Sequence, residues 1–230
     1  MKRTAIGLLV TMTVLTLAAW AVSGFEADFE VSTYNPDVAE LVNFEVCEPC
    51  LGESGTFHYA WDFDSDGIAE LETDDPVAAY GFASDGYHQV TLTVTAAGQV
   101  RSRRKGVLVG PTPAYAVREL IEQENGTVFV LITIHVESAV PGSLGFVESM
   151  PDGWQLEIVD PGGATTKRNA GEKQLEVFWM MSLDAGAELT FSYRLHRSYA
   201  SELPLLEGEL SGYSEGRFAG AICGDLEMPN

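Results

Sequence analysis

The chain has 230 residues, enough for one large β domain or two small ones. Hydrophobic residues make up 46% and charged residues 20%, the usage of a globular protein rather than a disordered or collagen-like one. Thirteen Lys and Arg stand against 34 Asp and Glu, a formal charge of -21 that repels phosphate backbones and speaks against nucleic acid as a partner.

Lys2 and Arg3 precede an uncharged run from Thr4 to Val22, and Ala19-Trp20-Ala21 supplies the small-x-small pattern of a signal-peptidase site. Residues 1–24 therefore read as an export signal. The alternative is an uncleaved anchor, because the run approaches the roughly 20 residues that span a bilayer. Membrane contact is expected only through this segment, and the expected location is extracellular or in the cell envelope.

From Phe25 onward, apolar residues alternate with polar ones: Phe29 and Val31, then Val42, Phe44 and Val46, then Phe57, Tyr59, Trp61 and Phe63. Period two is the strand signature. It continues through Val90, Leu92 and Val94 and on to Val107 and Val109, where Gly110-Pro-Thr-Pro113 reads as a linker. Asn125-Gly126 then marks a hairpin between strands at Tyr115–Glu122 and Thr127–Glu137, and the same Asn opens a glycosylation sequon by pattern. Further strands are expected at Leu144–Met150, Trp154–Val159, Gln174–Met181, Glu188–His196, Leu205–Tyr213 and Arg217–Leu226, separated by Gly-containing turns. The expected fold is all-β: two tandem sandwich modules at residues 25–110 and 111–230.

Cys47 and Cys50 form a Cys-Glu-Pro-Cys pair, for which a local disulfide in an oxidising compartment is the simplest reading. No βαβ pattern supports a thioredoxin-type motif, and no second ligand pair near His58 completes a zinc site. Cys223 sits in an apolar run and reads as a small core residue.

Asp62, Asp64, Asp66 and Gly67 reproduce the first six positions of a calcium loop, in which alternate carboxylates converge on one cation and Gly permits the sharp turn. The twelfth position is Thr73, so the bidentate Glu of an EF-hand is missing and Glu70 is out of register for that role. Calcium remains possible through Asp62, Asp64, Asp66 and Glu70. The competing reading gives these side chains to backbone donors within the turn. Alternation places Trp61 and Phe63 inward and Asp62 and Asp64 outward.

The stretch Tyr59-Ala-Trp-Asp-Phe-Asp-Ser-Asp-Gly67, followed by Asp75-Pro76, Tyr80, Gly86-Tyr87 and Val90-Thr-Leu-Thr-Val94, resembles the PKD domain, an immunoglobulin-like module. Trp61, Asp62, Phe63, Gly67, Gly86 and Tyr87 carry the resemblance. It implies an extracellular sandwich that serves as spacer or binding module, without catalysis. The second module is similar, through Pro151-Asp-Gly-Trp154, Trp179, Leu183-Asp-Ala-Gly186 and Phe191-Ser-Tyr193, to immunoglobulin-like domains of prokaryotic surface proteins.

Gly212-Tyr-Ser-Glu-Gly216 matches a nucleophile-elbow pattern, yet no His follows Ser214 and the run falls between two strands, so it reads as a hairpin turn. The basic run Arg101, Arg103, Arg104 and Lys105 reads as a charge-protected edge strand, or as a dock for an acidic partner or a neighbouring loop. The expectation is a non-enzymatic recognition protein acting in adhesion or assembly on a protein or glycan at the cell surface. The alternatives are a carbohydrate-binding accessory protein, which needs Tyr34, Tyr80, Tyr87 or Trp154 on a solvent-facing strip, and a structural envelope subunit.

Overall fold

A computed structural model describes residues 25–47, 56–123, 126–169, 173–197 and 205–228. Residues 1–24, where an export signal is expected, and also Cys50 and Asn125 lie outside them. The described residues are almost entirely strand: β1 Phe29–Val31, β2 Leu41–Val46, β3 His58–Asp62, β4 Leu71–Thr73, β5 Val77–Gly81, β6 Gly86–Ala96, β7 Gln99–Val109, β8 Ala114–Gln123, β9 Thr127–Val136, β10 Leu144–Ser149, β11 Trp154–Asp160, β12 Thr165–Asn169, β13 Gln174–Trp179, β14 Glu188–Arg197, β15 Gly208–Tyr213, β16 Arg217–Gly220 and β17 Ile222–Asp225. No helix among the described residues is long and apolar enough to cross a membrane.

Alternation decides which side chains meet. β2 buries every second residue, Val42, Phe44 and Val46, and β9 does the same with Val128, Val130, Ile132, Ile134 and Val136. Two cores result. One draws on residues from Phe25 to Val109 and centres on Trp61, whose ring lies 5.2 Å from that of Phe29 and 5.8 Å from that of Phe44. The other draws on residues from Ala114 to Met228, with Phe191 set 4.9 Å from Phe146 and 5.6 Å from Trp179. Each buried aliphatic or aromatic side chain contributes about 1.5–3 kcal/mol, so the cores dominate stability.

The sheets do not divide as the cores do. Strands β1-β2-β5 form a three-stranded sheet and β12-β13-β10-β15-β16 a five-stranded one, but the remaining strands make one sheet of nine in the order β11-β14-β9-β8-β17-β7-β6-β3-β4. The joint is β17. It pairs antiparallel with β7 and parallel with β8, so the last strand of the chain fills the space between the two cores. Gly224 permits the fit: its φ is +78°, and a Cβ there would meet the Arg118 carbonyl oxygen at 2.3 Å.

Two sequence expectations are corrected here. Arg217–Leu226 is not one strand; the chain switches sheets at Ala221, with β16 at the edge of the five-stranded sheet and β17 inside the nine-stranded one. The basic run is not an edge, because β7 lies between β6 and β17. Its charges meet the C-terminal segment instead. Arg103 lies 2.9 Å from Asp225, Lys105 lies 3.0 Å from Asp28 and 3.3 Å from Asp225, and Arg104 lies 3.8 Å from Glu227. The neighbouring-segment reading of the run is therefore the one the structure supports.

Candidate metal centre

β3 ends at Asp62 and β4 begins at Leu71, and the acidic turn lies between them. Two residues in it take left-handed backbone, Ser65 at φ 54° and Gly67 at φ 92°. Ser65 compensates by anchoring the turn to β6: its hydroxyl donates to the Gln89 carbonyl at 3.0 Å and lies 2.7 Å from the Thr91 hydroxyl. The opposite side is closed by Glu70, whose backbone N–H donates to the Trp61 carbonyl and whose carboxylate accepts the Phe63 N–H at 2.7 Å.

Each acid spends one oxygen on the backbone. Asp62 Oδ2 accepts the Gly67 N–H at 2.8 Å, Asp64 Oδ1 accepts the Asp66 N–H at 3.1 Å, and Asp66 Oδ1 accepts the Ile68 N–H at 2.8 Å. Turn-capping is thus real, and it leaves capacity over. One oxygen from each of Asp62, Asp64, Asp66 and Glu70 falls in a cluster whose members all lie within 4.8 Å of one another. Calcium–oxygen bonds of 2.3–2.6 Å place opposed ligands about 5 Å apart, so the cluster has the dimensions of a single hard-cation shell.

Asp62 departs from the exposure that outward alternation predicts. It is 9% exposed: Asp62 is the last residue of β3, and the turn that follows folds over its side chain, with Gly67 donating to it. Its Oδ1 is buried with no hydrogen-bond partner. An unpaired carboxylate oxygen shielded from water is costly, and three further acids beside it add repulsion; a bound cation removes both penalties. The donor set of hard oxygens, one on a buried residue and three on exposed ones, fits the chemistry of calcium, and Asp62, Asp64, Asp66 and Glu70 are the side chains that could hold it.

The other singled-out residues have structural places. Trp61 and Phe63 are buried, and Gly67 and Gly86 take positive φ. Tyr87 lies over Gly106, where a Cβ would meet its hydroxyl at 2.1 Å, and donates that hydroxyl to the Ile222 carbonyl at 3.1 Å. Tyr34 and Tyr80 pack against the first core and Trp154 against the second, so the four aromatics do not make one strip. Cys47 is disulfide-bonded. Cys223 is a free, buried thiol whose pKa burial pushes up to about 12. Ser214 sits in the β15–β16 turn and donates to the Ala139 carbonyl at 2.8 Å. His58 lies 2.9 Å from Asp74, which raises its pKa.

Sequence reasoning missed a buried triad in the second core. Arg118 meets Glu148 in a direct ion pair, and the same guanidinium donates to the carbonyls of Leu206 at 3.2 Å and Asp225 at 3.0 Å. Tyr193, fully buried, lies close enough to Glu148 to influence its titration. Arg118 looks like a polar break in an apolar strand, and that break was the available signal.

No protein-family model matches the chain, and no curated protein matches its sequence. Among solved structures, the type II cohesin dyad from the adaptor ScaA scaffoldin of Acetivibrio cellulolyticus is similar at 6% identity and a TM-score of 0.43, over 90% of this chain and 99% of that one. The collagen adhesin of S. aureus is similar at 9% identity and a TM-score of 0.33, over 90% and 95%. A carbohydrate-binding module of the β-sandwich superfamily is similar at 16% identity and a TM-score of 0.35, over 80% and 94%.

Proposed function

We propose that this chain is an exported, non-enzymatic recognition protein whose first module is a PKD-like sandwich stiffened by calcium at the Asp62–Glu70 turn. The observation that carries the reading is the four-carboxylate cluster with the buried, unpartnered Asp62 Oδ1. A loop with three exposed acids and no bidentate Glu at the twelfth position belongs with the weak sites of extracellular modules, which fill at about 0.1–1 mM calcium and so need the outside of the cell. The disulfide at Cys47 agrees with an oxidising compartment.

Function then follows from stiffness. The turn joins β3 to β4, the last strands of the nine-stranded sheet, so calcium fixes one end of a platform that runs unbroken through both cores. A rigid platform loses little entropy when it docks, the general advantage of a preorganised binder. Adhesion to, or assembly on, a surface protein or glycan is the role this suits.

The test is binding of the purified full chain to envelope fragments of its source organism with 2 mM calcium or with a chelator. The proposal predicts saturable binding that leaves the bound material chemically unchanged and weakens on chelation. Absence of binding in calcium, or turnover of the bound material, contradicts it.

A further inference from the structure

Six strands end the three sheets among the described residues, and five of them, β1, β4, β5, β12 and β16, have only three to five residues. β11 has seven, Trp154-Gln-Leu-Glu-Ile-Val-Asp160. Brevity, Lys, Pro and inward charges are the usual means of protecting an edge from further pairing. β11 has no Lys, no Pro and no charge among its core-facing residues. Its one protection is a bulge between Ile158 and Asp160, which leaves residues 154–158 as a regular ladder with one side open.

The core face of this edge is unfinished. Leu156 pairs with Leu195 and Ile158 with Tyr193, and directly opposed residues share a face. Both partners on β14 are fully buried, whereas Leu156 and Ile158, like Trp154, are only half-buried. Beyond them, between β11 and the β12 that ends the facing sheet, opens a cavity of about 460 Å³ with Met150, Trp154, Leu156 and Leu175 in its lining. A strand laid along β11 stands about 4.8 Å further out, which brings its own core-facing side chains over this cavity. On the opposite face, Gln155 and Glu157 are exposed. Glu157 meets Arg194 at 3.7 Å and His196 at 3.2 Å, both on β14, and still keeps 56% of its side chain exposed.

We infer that β11 is the docking edge for an extended segment of a partner protein in which apolar residues alternate with Lys or Arg. The segment adds as a tenth strand: its main chain pairs with residues 154–158, its apolar side chains cover Trp154, Leu156 and Ile158 and enter the cavity, and a basic residue stands beside Glu157. Charge selects the partner. Opposite charges across a strand pair stabilise it and like charges oppose it, and acids outnumber bases 34 to 13 in this chain. A second copy would bring an identical acidic strand and another formal charge of -21 against the first, so the occupant is a different chain. This inference rests on the recognition reading and names the partner class and the place where it binds.

The test is calorimetric titration of the full chain with the end-capped peptide Lys-Val-Lys-Leu-Lys-Val-Lys. Beside it run a peptide of the same composition with its apolar residues grouped, and one with Glu in place of every Lys. The alternating basic peptide is expected to bind about tenfold tighter than either. Hydrogen exchange then shows new protection in residues 154–158. Two N-methylated versions, one methylated at the apolar residues and one at the lysines, separate the ladder from the side chains, because only one of the two sets of amides faces β11. One version loses binding and the other keeps it. Glu157→Lys shifts the preference toward the Glu peptide. Failure of the basic peptide to bind, equal binding by the grouped peptide or by both N-methylated versions, or protection elsewhere overturns the inference, as does a dimer in sedimentation that protects these residues by itself. Envelope binding that persists while the peptides fail overturns only this edge, whereas loss of envelope binding in the wild-type chain overturns the recognition reading and this inference with it.

Discussion

Asp225, on the last strand, lies 2.9 Å from the guanidinium of Arg103, on a strand that belongs to the other core. Both side chains are buried, and the second carboxylate oxygen of Asp225 accepts the Leu120 N–H at 2.8 Å. One carboxylate therefore ties β7, β8 and β17 together. Asp225→Ala strands Arg103 and Lys105 on Asp28 alone, whose side chain is 36% exposed, and orphans a backbone donor. Breaking a buried pair in this way costs about 3–5 kcal/mol. Urea unfolding of the variant measures it, and the expected result is a lower midpoint with a loosened junction between the cores.

The fit of β17 depends on Gly224 more sharply than on any turn glycine. Gly98 has nearly the same backbone, φ +77° against +78°, but has open space around it. Gly98→Ala is expected to show only the left-handed backbone penalty of about 1–2 kcal/mol. Gly224→Ala adds a collision with the Arg118 main chain, which cannot yield without displacing β8 from β17. The matched pair of thermal melts separates the two effects, and Gly224→Ala should be the worse by several degrees.

Burial raises the Glu148 pKa, the neighbouring Arg118 opposing the shift without cancelling it. Because the folded chain holds this proton more tightly than the unfolded one, the group's stabilising effect is complete at low pH and is lost as pH rises from the ordinary carboxylate range through the folded value. Glu148→Gln should flatten that part of the stability profile. Arg118→Met alone should cost about 3–5 kcal/mol by leaving a carboxylate buried without its cation, while Arg118→Met with Glu148→Met should recover much of the loss. A double-mutant cycle in urea reads the coupling directly.

His58 is raised by its hydrogen bond to Asp74 and the nearby charges of Asp74 and Glu72. The contribution is therefore present below the unfolded histidine pKa and lost as pH rises through the folded one. NMR titration should place His58 above the ordinary histidine value of 6.5, and Asp74→Asn should bring it back toward it.

Local pattern made most strands legible, since alternation in Val42–Val46, Tyr59–Phe63 and Val90–Val94 requires only neighbours in sequence. The acidic turn was legible for the same reason. β17 was not: its partners lie more than 100 positions away, its parallel pairing with β8 leaves no turn signal, and the switch of sheets at Ala221 leaves Arg217–Leu226 looking like one alternating run. The basic run left an edge strand and a dock for an acidic segment both open because the acid that meets it, Asp225, lies more than 100 positions away. The burial of Asp62 was not legible because alternation says which face a side chain takes, not that the turn after the strand folds over that face.

The most direct test of the account is a melting and calorimetric titration of the full chain with calcium, beside Asp62→Asn/Glu70→Gln, in which the Asn still offers an oxygen to the Gly67 N–H. The account predicts measurable binding heat and, at about tenfold excess over the dissociation constant, a rise of about 3–5 °C in melting temperature, absent from the double variant. No heat and no shift in the wild-type chain, or an equal shift in the variant, would contradict it and leave the four acids as turn-forming residues alone.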